Sequence, residues 1–291
     1  MGPDLTLAYD TLLHWPFEEI EQAYSERDTI LYALGIGIGG APTDLQQLRF
    51  VYEDGLAALP TMAVTLGYPG LYLSDPRTGV DWKRMLHGEQ GLVVHRPLEP
   101  SGRIVSTNRV DSIVDKGEGK GALVYTTREQ RDAETGEPVV TLTSTAFCRA
   151  DGGFGGPSGP VKERHPVPDG KPDVVVESPT LPQAALIYRL SGDRNPIHVD
   201  PQVAAAAGFD RPVLHGLCTY GVAGHAVLGA LCAYRPERLR RLDARFTAPV
   251  FPGDIISTSI WREAAGRAAF RCSVAARSAV VVDNGYVEYE A

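Results

Sequence analysis

The sequence predicts an α+β protein built as two similar halves, each a sheet wrapped around a helix. Three observations carry that prediction. Residues 214–234 read LHGLCTYGVAGHAVLGALCAY, without proline and apolar almost all round, and strand-like runs follow them. A helix with no polar face is buried, and at about 1.5 Å per residue this one would run about 30 Å. Short stretches of the first half recur in the second, in the same order and at nearly one spacing. Between the halves lies DGGFGGPSGP at 151–160, where seven of ten residues are Gly or Pro, a run that holds neither a helix nor a central strand.

Each element has its own warrant. In the first half, strands are expected at 91–95, 103–110, 122–127 and 139–148, behind a helical portion. The Gly/Pro run continues proline-rich through Pro172, which divides the chain into residues 1–150, a linker at 151–175, and residues 176–291. The second half opens with a short helix initiated around Thr180 and Pro182. The long apolar helix follows, its Gly221, Gly224 and Gly229 costing helix propensity but allowing a sheet to approach closely. Strands are then expected at 244–248, 254–261, 268–275 and 279–282, with Gly253, Gly266 and Asn284-Gly285 as turns. The recurrence runs through these elements. Pro60-Thr-Met-Ala matches Pro212-Val-Leu-His, PSGRIVST at 100–107 matches PGDIIST at 252–258, and Tyr32-Ala-Leu-Gly matches Tyr188-Arg-Leu-Ser. One such match is cheap, but three in order point to duplication.

Composition narrows the function. The chain has 291 residues, 43% of them hydrophobic and 22% charged, so each half can close a core of its own. A net charge of −8 and no basic cluster beyond Arg238, Arg240 and Arg241 argue against nucleic acid. An anionic ligand would have to be met by a few local donors. Four widely spaced cysteines, none in a Cys-x-x-Cys pair, speak against disulfides and zinc knuckles and for a reducing compartment. The start lacks a signal-peptide pattern, the end lacks a peroxisomal Ser-Lys-Leu, and no run reaches the ~18–20 apolar residues of a membrane helix. The expectation is a cytoplasmic protein without membrane or nucleic-acid partners.

The densest polar constellation is YRLSGDRNPIH at 188–198. Ser191-Gly192-Asp193 breaks the preceding helix and Asn195-Pro196 prevents its renewal, so Asp193 and His198 share a constrained loop. There a carboxylate and an imidazole can converge on one water and divide acid and base roles. Taken singly, Asp193 is equally a turn cap, Asn195 an Asx-turn residue and His198 a core histidine. Gly216, at the start of the long helix, offers a free amide and no Cβ, which suits a developing oxyanion. Other patterns lead nowhere. Gly35-x-Gly37-x-x-Gly40 matches a dinucleotide fingerprint literally, but Pro42 and Asp44 fit poorly in a phosphate-binding helix and no βαβ order follows. His215, His225 and His198 could suggest a metal site, but His215 and His225, ten apart on one helix, are too distant to share an ion, so no metal is expected.

The string at 188–198 resembles the motif of the MaoC-like hydratases, and the likeness extends along the chain. DTILYALG at 28–35, LHGEQ at 86–90, GGFGG at 152–156, PVLHGL at 212–217 and RFTAPVFPG at 245–253 all look like that family, in its order. The resemblance implies a double hot-dog fold, two helix-in-sheet units side by side, with the catalytic loop retained only in the second. It implies reversible syn hydration of trans-2-enoyl-CoA to (R)-3-hydroxyacyl-CoA. Asp193 and His198 would handle the water, Asn195 would position the site, and the Gly216 amide would be the oxyanion donor. The first half, with glycines where the second has Asp and His, would shape an acyl-chain pocket; the same glycines also read as a simple packing seam. No cofactor is implied beyond the acyl-CoA substrate, and a homodimer is expected. Arg245, opening the strand after the helix, is a candidate contact for CoA. A hot-dog thioesterase and a non-catalytic acyl-CoA-binding subunit remain the rivals; the paired Asp193 and His198 favour hydration.

Overall fold

The computed structural model describes residues 6–291; the reading of the first five residues as part of a leaderless start lies outside them. Ten antiparallel strands form one sheet: β1 (Ile20–Tyr24), β2 (Met85–Val94), β3 (Gly102–Asp115), β4 (Ala122–Asp132), β5 (Pro138–Cys148), β6 (Val174–Pro179), β7 (Leu239–Phe246), β8 (Ile255–Ala264), β9 (Arg267–Val274) and β10 (Ala279–Tyr289). Their order is β1-β3-β4-β5-β2-β7-β10-β9-β8-β6. That order is a palindrome. Each strand of the first half has its counterpart at the mirrored place in the second, which is the structural form of the recurrence in the sequence. The halves meet where β2 pairs β7, with Leu92 opposite Leu242, both fully buried.

Among the described residues six α-helices accompany the sheet: α1 (Tyr9–Leu13), α2 (Glu26–Gly35), α3 (Leu45–Leu48), α4 (Ala184–Tyr188), α5 (Pro201–Ala206) and α6 (Gly216–Cys232). The long helix α6 is the expected one and is buried along most of its length. Its glycines let neighbours in closely. A Cβ at Gly221 would lie 2.7 Å from Tyr32 and Ile36, and one at Gly224 would lie 2.6 Å from Thr61. Any larger residue at either position would force α2 or the segment at Thr61 away. Helices α2 and α4 pack on each other, so the recurrent tyrosines Tyr32 and Tyr188 stand 6.0 Å apart, ring to ring.

Three expectations need correction. Among the described residues the first half has no counterpart of α6. Pro60–Thr65 forms a 3-10 turn, and only three further 3-10 turns (Tyr72–Ser74, Pro76–Thr78, Trp82–Arg84) precede β2. Gly67, Gly70 and Gly79 there adopt positive φ, and Pro69 and Pro76 intervene, so no helix can run through. Asn284-Gly285 is not a turn but a bulge within β10, where the register shifts against both neighbours. Gly285 is needed there because a Cβ would lie 2.5 Å from Phe270. The short helix of the second half also begins later than Thr180, at Ala184.

Residues 151–173 carry no helix or strand. They are nonetheless fastened. The Asp115 carboxylate accepts from the amides of Gly117, Gly153 and Gly155 at 2.7–2.8 Å, tying the glycine run to the β3–β4 turn. Farther on, Arg164 meets Glu89 and His165 meets Glu263, which lays the segment across the outer face of the sheet.

Candidate active site

The loop after α4 owes its shape to short-range chemistry. Gly192 adopts φ +126, a conformation L-residues rarely take, and turns the chain out of the helix. The Asp193 carboxylate then accepts from the amide of Asn195 (3.1 Å), and the Asn195 side chain accepts from the amide of Ile197 (3.1 Å). Pro196 starts a single 3-10 turn that ends on His198. Two successive Asx turns thus aim Asp193 and His198 at one another.

His198 Nε2 lies 3.9 Å from Asp193 Oδ2, too far for a direct hydrogen bond and suitable for a shared water. Its Nδ1 donates to the carbonyl of Val213 at 2.8 Å, which fixes the tautomer and leaves Nε2 as an acceptor. Burial lowers the His198 pKa below its ordinary value, and the Val213 carbonyl and Asp193 oppose that shift without cancelling it. The imidazole is therefore a neutral base at pH 7. Asp193 keeps 41% of its side chain exposed and His198 11%, so a reactant approaches from the Asp193 side.

A third member escaped the sequence reading. His215, weighed there only as a metal ligand, lies under His198 with the rings 3.6 Å apart and 25° from parallel. Its Nε2 donates to the Asp193 carbonyl at 3.2 Å, and its Nδ1 is buried without a partner. Burial, followed by the neighbouring His198, pushes its pKa down to about 4, so this ring too is neutral. Asp193, His198 and His215 bring potential ligand atoms together. Stacked imidazoles, however, hold their lone pairs in near-parallel planes rather than converging on one ion. The trio is a carboxylate and two neutral imidazoles, with His215 stacked beneath His198.

Gly216 follows His215 directly and opens α6, whose amino end has no side-chain cap. Its amide is thus one of the free N–H groups at the positive end of a 17-residue helix. The Phe246 ring lies 3.7 Å from where a Cβ would stand, so the backbone here is faced by a flat apolar wall. Behind Phe246 stands His87 from the LHGEQ stretch, its ring edge-on at 5.1 Å. His87 Nε2 donates to the Glu89 carbonyl, and burial drops its pKa to about 4.

Asp193, Asn195, His198 and Gly216 are thus drawn into one site, while Arg245 is not. Alternation along β7 sends Ala244 into the core and Phe246 towards Gly216, and it turns Arg245 to the outer face, beside Arg164 and Glu89.

The site can be set beside known proteins. A family model described as MaoC like domain matches residues 163–284, and one described as MFE-2 hydratase 2 N-terminal domain matches residues 22–150. The chain is 43% identical over 277 residues to 3-hydroxyacyl-thioester dehydratase Y of Mycobacterium tuberculosis, covering 92% of this chain and 93% of that one. It is 36% identical to the peroxisomal enoyl-CoA hydratase 2 of Arabidopsis thaliana, covering 96% and 94%. A crystal structure of a MaoC-like dehydratase from Phytophthora capsici superimposes with a TM-score of 0.84 at 36% identity, over 96% of this chain and 98% of that one. With sequence, sheet topology and relatives in agreement, the chain belongs to the MaoC-like family of double hot-dog hydro-lyases, in the form that joins a hydratase 2 N-terminal domain to a MaoC-like domain.

Proposed function

We propose that the protein catalyses reversible syn hydration of trans-2-enoyl-CoA to (R)-3-hydroxyacyl-CoA, with Asp193 and His198 handling one water and Gly216 holding the thioester oxygen. The observation that carries this reading is the 3.9 Å gap between two acceptors, Asp193 Oδ2 and His198 Nε2, beside an uncapped helix N-terminus. Relatives named for thioester dehydration and for enoyl-CoA hydration support the chemistry.

In this reading a water donates one hydrogen to each acceptor. Its oxygen bonds to Cβ as His198 Nε2 takes a proton, and the C=C electron pair moves into the thioester as an enolate. The Gly216 amide meets the new negative charge, a contribution of about 10²–10³ in rate where such donors have been removed. The imidazolium, on the same face, returns its proton to Cα, and Asp193 stabilises it meanwhile. Attack and protonation from one face make the addition syn. Asn195 acts by holding the turn, and His215 by bracing the ring. Residues 176–291 carry the chemistry, residues 1–150 shape the acyl pocket, and 151–175 link them. No described helix is long and apolar enough to cross a membrane. A cytoplasmic homodimer without resident cofactor or metal completes the proposal, with β1 and β6 as the open sheet edges.

The test is loss of enoyl-thioester absorbance over a trans-2-enoyl-CoA series, with free thiol followed in parallel. Wild type should hydrate, and Asp193→Asn and His198→Ala should each lose about 10²–10⁴ in kcat. Thiol release in place of hydration would mean a thioesterase instead.

A further inference from the structure

The first half holds a small cavity of mixed lining, in which Phe17, Pro69, Tyr72 and Leu142 face Gln90, Asn108 and Arg128. It lies against the concave face of β2–β5, closed by the loop that carries Tyr68 and Tyr72. In the second half the equivalent face is almost wholly apolar, with Leu242, Ala244, Ile256, Ile260 and Phe270 buried and Thr258, paired with Cys272, the polar exception. Here Gln90, Ser144 and Thr126 stand opposite one another across β2, β5 and β4, and Arg128 stands opposite Asn108 across β4 and β3.

These polar groups are partly satisfied and pointedly not elsewhere. Thr126 and Ser144 bond each other at 2.6 Å. Arg128 Nη1 donates to the carbonyls of Val64 (3.1 Å) and Leu66 (2.8 Å), which holds the guanidinium still. Arg128 Nε and Asn108 Nδ2 are buried with no acceptor. Among the described residues Arg128 has no carboxylate partner; the Tyr68 ring, 5.4 Å from its Cζ, is its counterpart. Burial pulls the Arg128 pKa down to about 10. A fixed cation beside an unused amide donor is a binding site for an anionic oxygen.

The cavity also neighbours the reacting groups. Tyr68 lines it beside Arg128, whose Nη1 bonds the carbonyls of Val64 and Leu66, and a Cβ at Gly192, next to Asp193, would lie 4.0 Å from the Thr65 carbonyl between them. We propose that this cavity receives the far end of the acyl chain and selects chains that end in a carboxylate, held by Arg128 and Asn108. The proposal rests on the hydration reading above and narrows its substrate class to ω-carboxylated enoyl thioesters.

The experiment compares trans-2-enoyl-CoA thioesters ending in methyl with ω-carboxylated ones of equal length, across several lengths. It adds calorimetric binding of the saturated ω-carboxyacyl-CoA, which cannot react. For wild type, kcat/KM should favour the carboxylated chain by about tenfold or more at the length that spans to Arg128. Arg128→Met and Asn108→Leu should each abolish most of that preference, and Arg128→Lys should keep part of it. Asn108→Leu leaves the bonds to Val64 and Leu66 intact, so it remains informative if Arg128→Met melts early. Hydration of both series without preference, or a preference that survives both substitutions, overturns the inference and leaves the hydratase reading standing. Failure to hydrate either series, with Arg128-dependent binding of the saturated carboxylated analogue, supports the cavity's role and removes the hydratase reading instead.

Discussion

At the scale of single residues, the site is decided by which nitrogen of each histidine is occupied. His198 spends Nδ1 on Val213 and leaves Nε2 open towards Asp193, whereas His215 spends Nε2 on the Asp193 carbonyl. Replacing His215 by Phe keeps a ring under His198 and removes that hydrogen bond; kcat should fall about tenfold with KM little changed. Because burial lowers the His198 pKa, log(kcat/KM) should be flat from neutral pH down to about 6.5 and decline only below it. A decline setting in above that value in a pH-rate profile would contradict a buried neutral base. Asp193, Asn195 and His198 were legible in the sequence because one short string fixes both their turns and their spacing. His215 was not, since its partners, Asp193 and His198, come from a loop well before it in the chain rather than from its own helix. Its place beside Gly216 was the available signal. The alternation of core residues around Arg245 likewise places its side chain on the outer face of β7.

At the scale of elements, α6 does two things: it fills the wrapped sheet and ends its free amides at the site. A proline at its first position isolates the second role. His215, before it, already has φ −57 and ψ 134, which tolerates a following proline, and the first helical position needs no N–H for the helix itself. Gly216→Pro should therefore keep the fold, by circular dichroism and melting, while kcat drops about 10²–10³. The helix was plain in the sequence from its unbroken apolar run. The missing counterpart in the first half was not, because the match at Pro60 suggested a repeat while Gly67, Pro69 and Gly70 just downstream forbade it. Local composition won over symmetry. Asn284-Gly285 went the other way: a pair that makes a turn between free strands becomes a bulge when β7 and β9 hold it on both sides.

At the scale of the whole molecule, one sheet runs through both halves, so they should unfold together. Leu92 and Leu242 face each other at the centre of the β2–β7 seam. Leu92→Ala or Leu242→Ala should cost about 2–5 kcal/mol in a denaturant titration that keeps a single transition. Two separate transitions would show that the halves are independent. The duplication could be read from recurring segments, but the seam could not, since pairing between strands so far apart in sequence leaves no local pattern. Acid should also loosen the molecule. His87, His215 and His225 have folded pKa values near 4, below the roughly 6.5 of an unfolded histidine. The unfolded chain takes up protons first as pH falls, so their contribution is intact above about 6.5 and is lost between there and 4. The slope is on the order of 1 kcal/mol per pH unit for each histidine, measurable as melting temperature against pH.

The measurement that bears most directly on the mechanism is hydration of a trans-2-enoyl-CoA in deuterium oxide, with the configuration at C2 and C3 of the product resolved by NMR and chiral analysis. Delivery of water and proton from one face by Asp193 and His198 predicts an (R)-3-hydroxyacyl-CoA with deuterium at C2 in the syn relation. An (S) product, an anti relation, or free CoA in place of hydroxyacyl-CoA would contradict it.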